Sequence, residues 1–140
     1  MNHKVVTSWK GGLTFESDNP SGKTLILDTN VEGQVRKGLS PKAMMLSSLA
    51  GCSGLDVLSI LDKMKVEVED FKIEVIGELT DQHPKYYHKV MVNYYFYGNN
   101  LNEERCQRAV QLSVDKYCGV MEMFRQFADL QTNIYFKTKS

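Results

Sequence analysis

The stretch Ser40-Pro-Lys-Ala-Met-Met-Leu-Ser-Ser-Leu-Ala-Gly-Cys-Ser-Gly-Leu-Asp-Val57 decides the fold of this chain. A helix is predicted to begin at Ser40-Pro41, because serine is a favourable N-cap and proline fits the first helical position. The helix is predicted to run to about Lys63 or Lys65, and its middle is apolar nearly all round, which is typical of a central core helix. Asp56 and the many small polar residues favour a buried helix of a soluble protein over a membrane span.

Short strands are predicted before this helix and longer strands after it. The segments before it are apolar-rich and separated by turns that contain glycine or proline. After it, alternating apolar and charged residues predict one strand, and a tyrosine- and valine-rich run predicts another. A capping-box pattern at Asn100 and Glu103 then predicts a helix, which Gly119 interrupts. The predicted strands are Val5–Trp9, Leu13–Phe15, Thr24–Asp28, Val66–Val75, Tyr86–Tyr97 and Leu130–Lys137, and the helices begin near Ser40, Leu101 and Val120.

This order, β-β-β-α-β-β-α-α-β, predicts one α+β domain over residues 1–140 with a mostly antiparallel sheet. The 17 Lys and Arg residues balance the 17 Asp and Glu residues, and no basic stripe suggests nucleic-acid binding. The N-terminus lacks the apolar core of a signal peptide, so we expect a cytoplasmic protein that does not bind membranes. In a reducing cytosol, paired cysteines are more often catalytic or metal-binding than structural.

The three cysteines lie in unlike surroundings. Cys52 is inside the long helix, whereas Cys118 lies where one helical pattern stops and another begins. Two distant cysteines at helical positions make sense if they meet in space as a thiol pair, which indicates redox chemistry. Cys106 lies on the apolar stripe of its own helix, and core packing accounts for it. No spacing matches a metal site or a phosphate loop, so no metal or cofactor is expected.

The two candidate thiols differ in their local chemistry. Cys118 would lie at a helix N-terminus, which favours anions, so we expect its pKa to lie below the value of roughly 8.5 for a free cysteine. The alternative for Cys118 is a small buried hydrophobe at a helix junction. Cys52, taken alone, is better interpreted as a packed core cysteine. Asp56 lies one turn later on the same face and would disfavour a nearby thiolate.

The Pro41-to-Cys52 segment with its Ala-Gly-Cys ending, the Asp115-Lys-Tyr-Cys118 segment and the element order together resemble the OsmC/Ohr family. These are osmotically inducible and organic-hydroperoxide-resistance proteins, and the resemblance covers most of the chain. It implies an intertwined homodimer with two active sites at the subunit interface. It also implies reduction of organic hydroperoxides without a cofactor, with Cys52 as the peroxidatic thiol, Cys118 as the resolving thiol and an external dithiol as the reductant.

Active members of that family carry an arginine in the N-terminal region and a glutamate just inside this helix. Lys42 occupies the glutamate's position here, and Arg36 is the first arginine of the chain. The resemblance therefore makes Arg36 and Lys42 the candidate supporting cations of the thiol site.

A different class of function also fits the sequence. In this alternative the protein is a non-catalytic stress or ligand-binding dimer, whose apolar interface pocket holds a small lipid-like molecule and whose cysteines are vestigial. Methionines fill irregular apolar space, so they serve either a core or such a pocket. The methionines concerned are Met44, Met45, Met121 and Met123.

Overall fold

The structure, a computed structural model, describes residues 1–138 and confirms the predicted α+β class and element order. Three short strands precede the long helix, two long strands follow it, and the last strand comes after the remaining helices. The strands are β1 (Thr7–Trp9), β2 (Phe15–Ser17), β3 (Leu25–Leu27), β4 (Asp70–Leu79), β5 (Tyr87–Tyr97) and β6 (Asp129–Lys137). The helices are α1 (Pro41–Lys63), α2 (Glu103–Leu112), a π-helix (Ser113–Tyr117) and α3 (Gly119–Arg125).

Five of the six strands begin one to four residues later than predicted, and the reason is visible for β2 and β4. β2 starts at Phe15 because the preceding residues close a turn, in which the Lys10 amide donates to the Thr14 carbonyl at 2.9 Å. β4 starts only at Asp70. Val66 lies beyond α1, and its amide closes the turn after that helix by donating to the Leu61 carbonyl at 2.9 Å. Hydrogen bonds to the neighbouring turn or helix therefore use the backbone groups that a strand would need.

The segment between β5 and β6 also differs from the prediction in two respects. The cap of α2 is Asn102 and not Asn100, because the Asn102 side chain accepts the amide of Arg105 at 3.1 Å. A π-helix, which the sequence did not predict, separates α2 from α3. Single π-turns of this kind occur mostly inside or beside α-helices and often at functional sites.

The strands form two three-stranded sheets. The sheet β1-β2-β3 is antiparallel throughout. In the second sheet, β4 and β5 are antiparallel, whereas β5 and β6 are parallel, with Lys89 opposite Asp129. The prediction of a mostly antiparallel architecture is therefore confirmed. The parallel pair requires a crossover connection, and α2, the π-helix and α3 supply it.

The chain forms two compact units, one of residues 1–45 and one that begins at Leu46. The helix α1 starts in the first unit and continues through the second. In the first unit, the buried carboxylate of Asp28 accepts the Lys37 amide at 2.7 Å and the Arg36 Nε at 2.7 Å. The Lys37 amide contributes most to holding the pKa of Asp28 below its ordinary value. The single domain over residues 1–140 stays a prediction from the sequence.

In the second unit, one stripe of α1 packs on the sheet β4-β5-β6. Gly54 allows the close approach, because a methyl group added there would lie 3.0 Å from the Ile73 Cδ1 atom. Alternate residues of β5 form the sheet's side of this core, as the period of a strand requires. The buried α1 residues are Leu49, Ser53, Gly54, Val57 and Leu61, and the β5 residues are Val90, Val92, Tyr94 and Phe96.

A buried hydroxyl network joins α1 to β5 and to the π-helix. The Ser53 Oγ lies 2.6 Å from the Tyr94 hydroxyl and 2.8 Å from the Ser113 Oγ. All three side chains are fully buried. Burial raises the pKa of Tyr94 to about 12, so its hydroxyl keeps its proton at neutral pH. The network therefore satisfies three polar groups inside an otherwise apolar core.

We expect Ser53→Ala to lower the free energy of unfolding by about 1–3 kcal/mol, because the buried Tyr94 hydroxyl loses its partner. The control is Gln107→Ala, at an exposed position of α2 outside this network. The higher helix propensity of alanine opposes the expected loss at Ser53 and does not create it. Denaturant unfolding followed by circular dichroism measures both. Equal effects of the two substitutions would show that the Ser53 hydrogen bonds add nothing to stability.

Candidate functional site

The structure brings Cys52, Asp56 and Cys118 together in the second unit. Their two sulfur atoms and one carboxylate oxygen all lie within 4.8 Å of one another. Cys52 and Asp56 share a face of α1 because they are four residues apart. Cys118 reaches them from the end of the π-helix. The predicted meeting of the two distant thiols is confirmed, whereas their catalytic roles stay a prediction.

The backbone around Cys118 holds its thiol at the junction of two helices. Its amide donates to the Ser113 carbonyl at 2.9 Å, five residues earlier, which closes the π-turn. Its sulfur accepts the Met121 amide at 3.3 Å and so caps α3. Only 4% of the residue is exposed. Cys118 is therefore a fixed, buried thiol at the junction of the two helices.

The prediction that Cys118 has a lowered pKa is wrong. Burial is the largest influence, and it raises the pKa of the Cys118 thiol. The Met121 amide acts in the predicted direction and lowers that pKa, but the adjacent Cys52 thiol and the Asp56 carboxylate raise it further. The sequence located the helix N-terminus correctly. It did not show that the sulfur there is buried away from water, or that Cys52 and Asp56 lie beside it.

Asp56 is the member of the cluster that sequence analysis did not assign to the site. Its Oδ2 accepts the Ser113 hydroxyl at 3.2 Å, and Ser113 in turn contacts Ser53. The carboxylate is thereby connected to the buried hydroxyl network and is held beside both sulfurs. The signal for it in the sequence was the four-residue spacing from Cys52, which predicts a shared helix face.

Cys106 is a core residue, as predicted. It is fully buried on α2 among apolar side chains. Burial, with a smaller contribution from Glu103, raises the pKa of the Cys106 thiol and so disfavours a reactive thiolate. The two methionines of α3 lie in different environments: Met121 is fully buried, whereas Met123 is 65% exposed. Met121 and Met123 therefore do not line one pocket together.

The two candidate supporting cations lie in the first unit. Arg36 donates to Asp28, to the Asn30 Oδ1 at 2.9 Å and to the Ser40 Oγ at 3.2 Å. The guanidinium is thus engaged by groups of its own unit. Lys42 is exposed in the first turn of α1. The supporting role of either cation at the thiol site stays a prediction.

The sequence profile of the family described as OsmC-like protein matches residues 33–133. The chain belongs to the OsmC-like family. Protein YhfA of Escherichia coli strain K12 is 33% identical to it over 122 residues, which cover 87% of this chain and 89% of YhfA. The expected resemblance is therefore confirmed at the level of the family.

Solved structures share the fold of this OsmC-like protein. A hypothetical protein from Aquifex aeolicus VF5 is 31% identical, with a TM-score of 0.86 over 100% of this chain and 99% of that one. An organic hydroperoxide resistance protein OsmC from Legionella pneumophila is 15% identical, with a TM-score of 0.68 over 96% and 97% of the two chains. At that lower identity the likeness supports the fold alone.

We expect the Cys118 thiol to ionise only above the roughly 8.5 of a free cysteine, because burial disfavours its thiolate. The proton is then held to higher pH in the folded than in the unfolded protein, so folding stability falls as the pH rises past that ordinary value. The ¹³C shift of the cysteine Cβ, followed against pH in the Cys52→Ser/Cys106→Ser variant, reports Cys118 alone. The same protein unfolded in urea is the control, and a folded midpoint at or below the unfolded one would contradict the prediction.

Proposed function

We propose that this OsmC-like protein is a thiol-dependent peroxidase that reduces organic hydroperoxides through Cys52 and Cys118. The single observation that carries the proposal is the approach of the two sulfurs to within 4.8 Å. A disulfide bond is about 2.05 Å long, so the sulfurs need to close by less than about 3 Å. Cysteines 66 positions apart in the sequence have this geometry only because the fold brings them together.

The different solvent exposure of the two thiols supports Cys52 as the attacking thiol and Cys118 as the resolving thiol. Cys52 is partly exposed and can meet a peroxide, whereas Cys118 is buried beside it. The Cys52 sulfur would attack the peroxide ROOH: an S–O bond forms, the O–O bond breaks, and ROH leaves with the proton that the thiol gave up. Cys52 is then a sulfenic acid.

Resolution would follow within the same pair. The Cys118 sulfur attacks the sulfur of the Cys52 sulfenic acid, an S–S bond forms, and the hydroxyl leaves as water with the Cys118 proton. A raised pKa keeps the Cys118 thiol neutral until that step. An external dithiol then reduces the disulfide by exchange and restores both thiols.

Family membership supports the same chemistry. The Legionella pneumophila relative in fold carries the name of an organic hydroperoxide resistance protein, and the name of YhfA specifies no reaction. Lys42 stands where active members of the family have a glutamate, and Arg36 is bonded to Asp28. The non-catalytic, ligand-binding function is therefore the competing proposal, and an assay of peroxide turnover separates the two.

We expect Cys52→Ser to abolish turnover of cumene hydroperoxide with dithiothreitol, because the attacking sulfur is gone. Cys106→Ser is the matched control and should keep the wild-type rate, since Cys106 only fills the core. After one addition of peroxide without reductant, mass spectrometry should find a Cys52–Cys118 disulfide in the wild type and a dimedone-trapped Cys52 in Cys118→Ser. Equal losses in Cys52→Ser and Cys106→Ser would contradict these roles. A wild type inert toward both cumene hydroperoxide and hydrogen peroxide would favour the ligand-binding alternative.

We further propose that the protein is a homodimer whose interface covers the outer side of α1. This helix is long and apolar enough to cross a membrane by length and composition, a property that core helices of soluble proteins share. Leu55 is 72% exposed and Leu58 is 47% exposed, away from the buried stripe. The shared fold indicates a soluble protein, and a second copy would remove this apolar surface from water. Location in the cytoplasm stays a prediction.

We expect sedimentation at micromolar concentration to show a dimer, with an obligate interface of more than about 2,000 Å². Leu55→Glu should shift the protein to monomers or aggregates, because a charge in an apolar interface loses its hydration. The control is Gln107→Glu, which adds the same charge at an exposed position of α2. A folded wild-type monomer, or equal behaviour of the two variants, would count against the dimer.

A further inference from the structure

The Cys52, Asp56 and Cys118 cluster presents a set of metal-binding atoms, of which the proposed redox role uses the two sulfurs and leaves the Asp56 carboxylate without a function. Two sulfurs and one carboxylate oxygen lie within 4.8 Å of one another. Zinc binds thiolate at about 2.3 Å and carboxylate at about 2.0–2.2 Å, so ligands of one tetrahedral zinc lie about 3.5–3.8 Å apart. Side-chain movements of about 1 Å would close the cluster to that spacing.

We propose that the reduced protein binds one thiophilic divalent cation such as zinc. The ligands are the Cys52 sulfur, the Cys118 sulfur and the Asp56 carboxylate. Sulfur ligands favour zinc over magnesium and calcium, which take oxygen ligands. Three protein ligands leave the fourth position of a tetrahedral zinc for water or an external thiol. The inference goes beyond the proposed peroxidase function and does not depend on it.

The charges of the cluster favour a cation. Asp56 is partly buried, and the hydroxyl of Ser113 that it accepts is a neutral donor. Among residues 1–138 the ion pairs are Arg36–Asp28, His88–Glu78 and Arg125–Glu122, so Asp56 belongs to none of them. Ionising either thiol beside this carboxylate would place like charges close together, and a divalent cation offsets that repulsion.

The surrounding hydrogen bonds suit a metal site as well. Ser113 donates to the Asp56 Oδ2 at 3.2 Å, and its contact with Ser53 anchors it in the core. The Met121 amide donates to the Cys118 sulfur at 3.3 Å. Such outer contacts orient ligands and tune their donor strength. Both sulfurs are used in the metal complex and in the proposed disulfide, so the two states exclude each other.

The test uses the full chain, reduced, stripped of metal and kept anaerobic. Zinc is titrated in competition with a chromogenic chelator, and cobalt(II) is the spectroscopic probe. We expect one equivalent per chain, thiolate-to-cobalt charge-transfer absorption and a higher thermal midpoint with zinc. Cys52→Ser, Cys118→Ser and Asp56→Asn should each weaken binding by about tenfold or more. Cys106→Ser is the matched control and should bind as the wild type does.

Several outcomes would overturn the inference. The inference is rejected if the wild type binds less than one equivalent of zinc or shows no thiolate-to-cobalt charge-transfer absorption. Wild-type affinity in Cys52→Ser and Asp56→Asn would also overturn it, and these two variants decide the matter if the buried Cys118→Ser fails to fold. Peroxide turnover by a protein that binds no zinc rejects the inference and keeps the proposed function. Zinc binding by a protein without peroxide turnover supports the inference and rejects the proposed function.

Discussion

The thiol site depends on the buried hydroxyl network of Ser53, Tyr94 and Ser113. Ser53 follows Cys52 in α1, and the carbonyl of Ser113 receives the amide of Cys118. The contacts that hold α1 against β5 and the π-helix therefore also set the distance between the two sulfurs. A buried hydroxyl without a partner costs about 1–3 kcal/mol, so a shift of α1 along the sheet would be opposed by several unsatisfied groups at once.

The same network explains why a carboxylate lies beside the two thiols. It leads to Asp56, which keeps a carboxylate beside two thiols in a partly buried cluster. Burial and neighbouring negative charge outweigh the helix N-terminus at Cys118, so that thiol stays protonated. Oxidation of the pair to a disulfide and binding of a cation are two ways to relieve this concentration of potential anions. Both proposals thus start from the same close approach of two sulfurs and one carboxylate oxygen.

Much of the fold follows from local patterns. The Ser40-Pro41 start predicted α1 because capping and the geometry of proline act within one turn. The β5 segment was equally clear from its composition. The errors lie at the ends of elements, where short-range hydrogen bonds that the sequence patterns did not resolve set the boundary. The Val66 amide closes the turn after α1 and does not begin a strand, and Asn102, not Asn100, caps α2.

For the site itself, the sequence determined that Cys52 and Cys118 are the candidate thiols, that Cys106 is a core residue, and that Asp56 shares a helix face with Cys52. Only the tertiary structure decided that the thiols meet, that Asp56 joins them, and that the Cys118 thiol is hard to ionise. The reason is physical. Helix faces and caps depend on neighbours a few residues away. Burial depends on the packing of distant segments, and the hydrogen bond between Ser53 and Ser113 joins residues that are 60 positions apart.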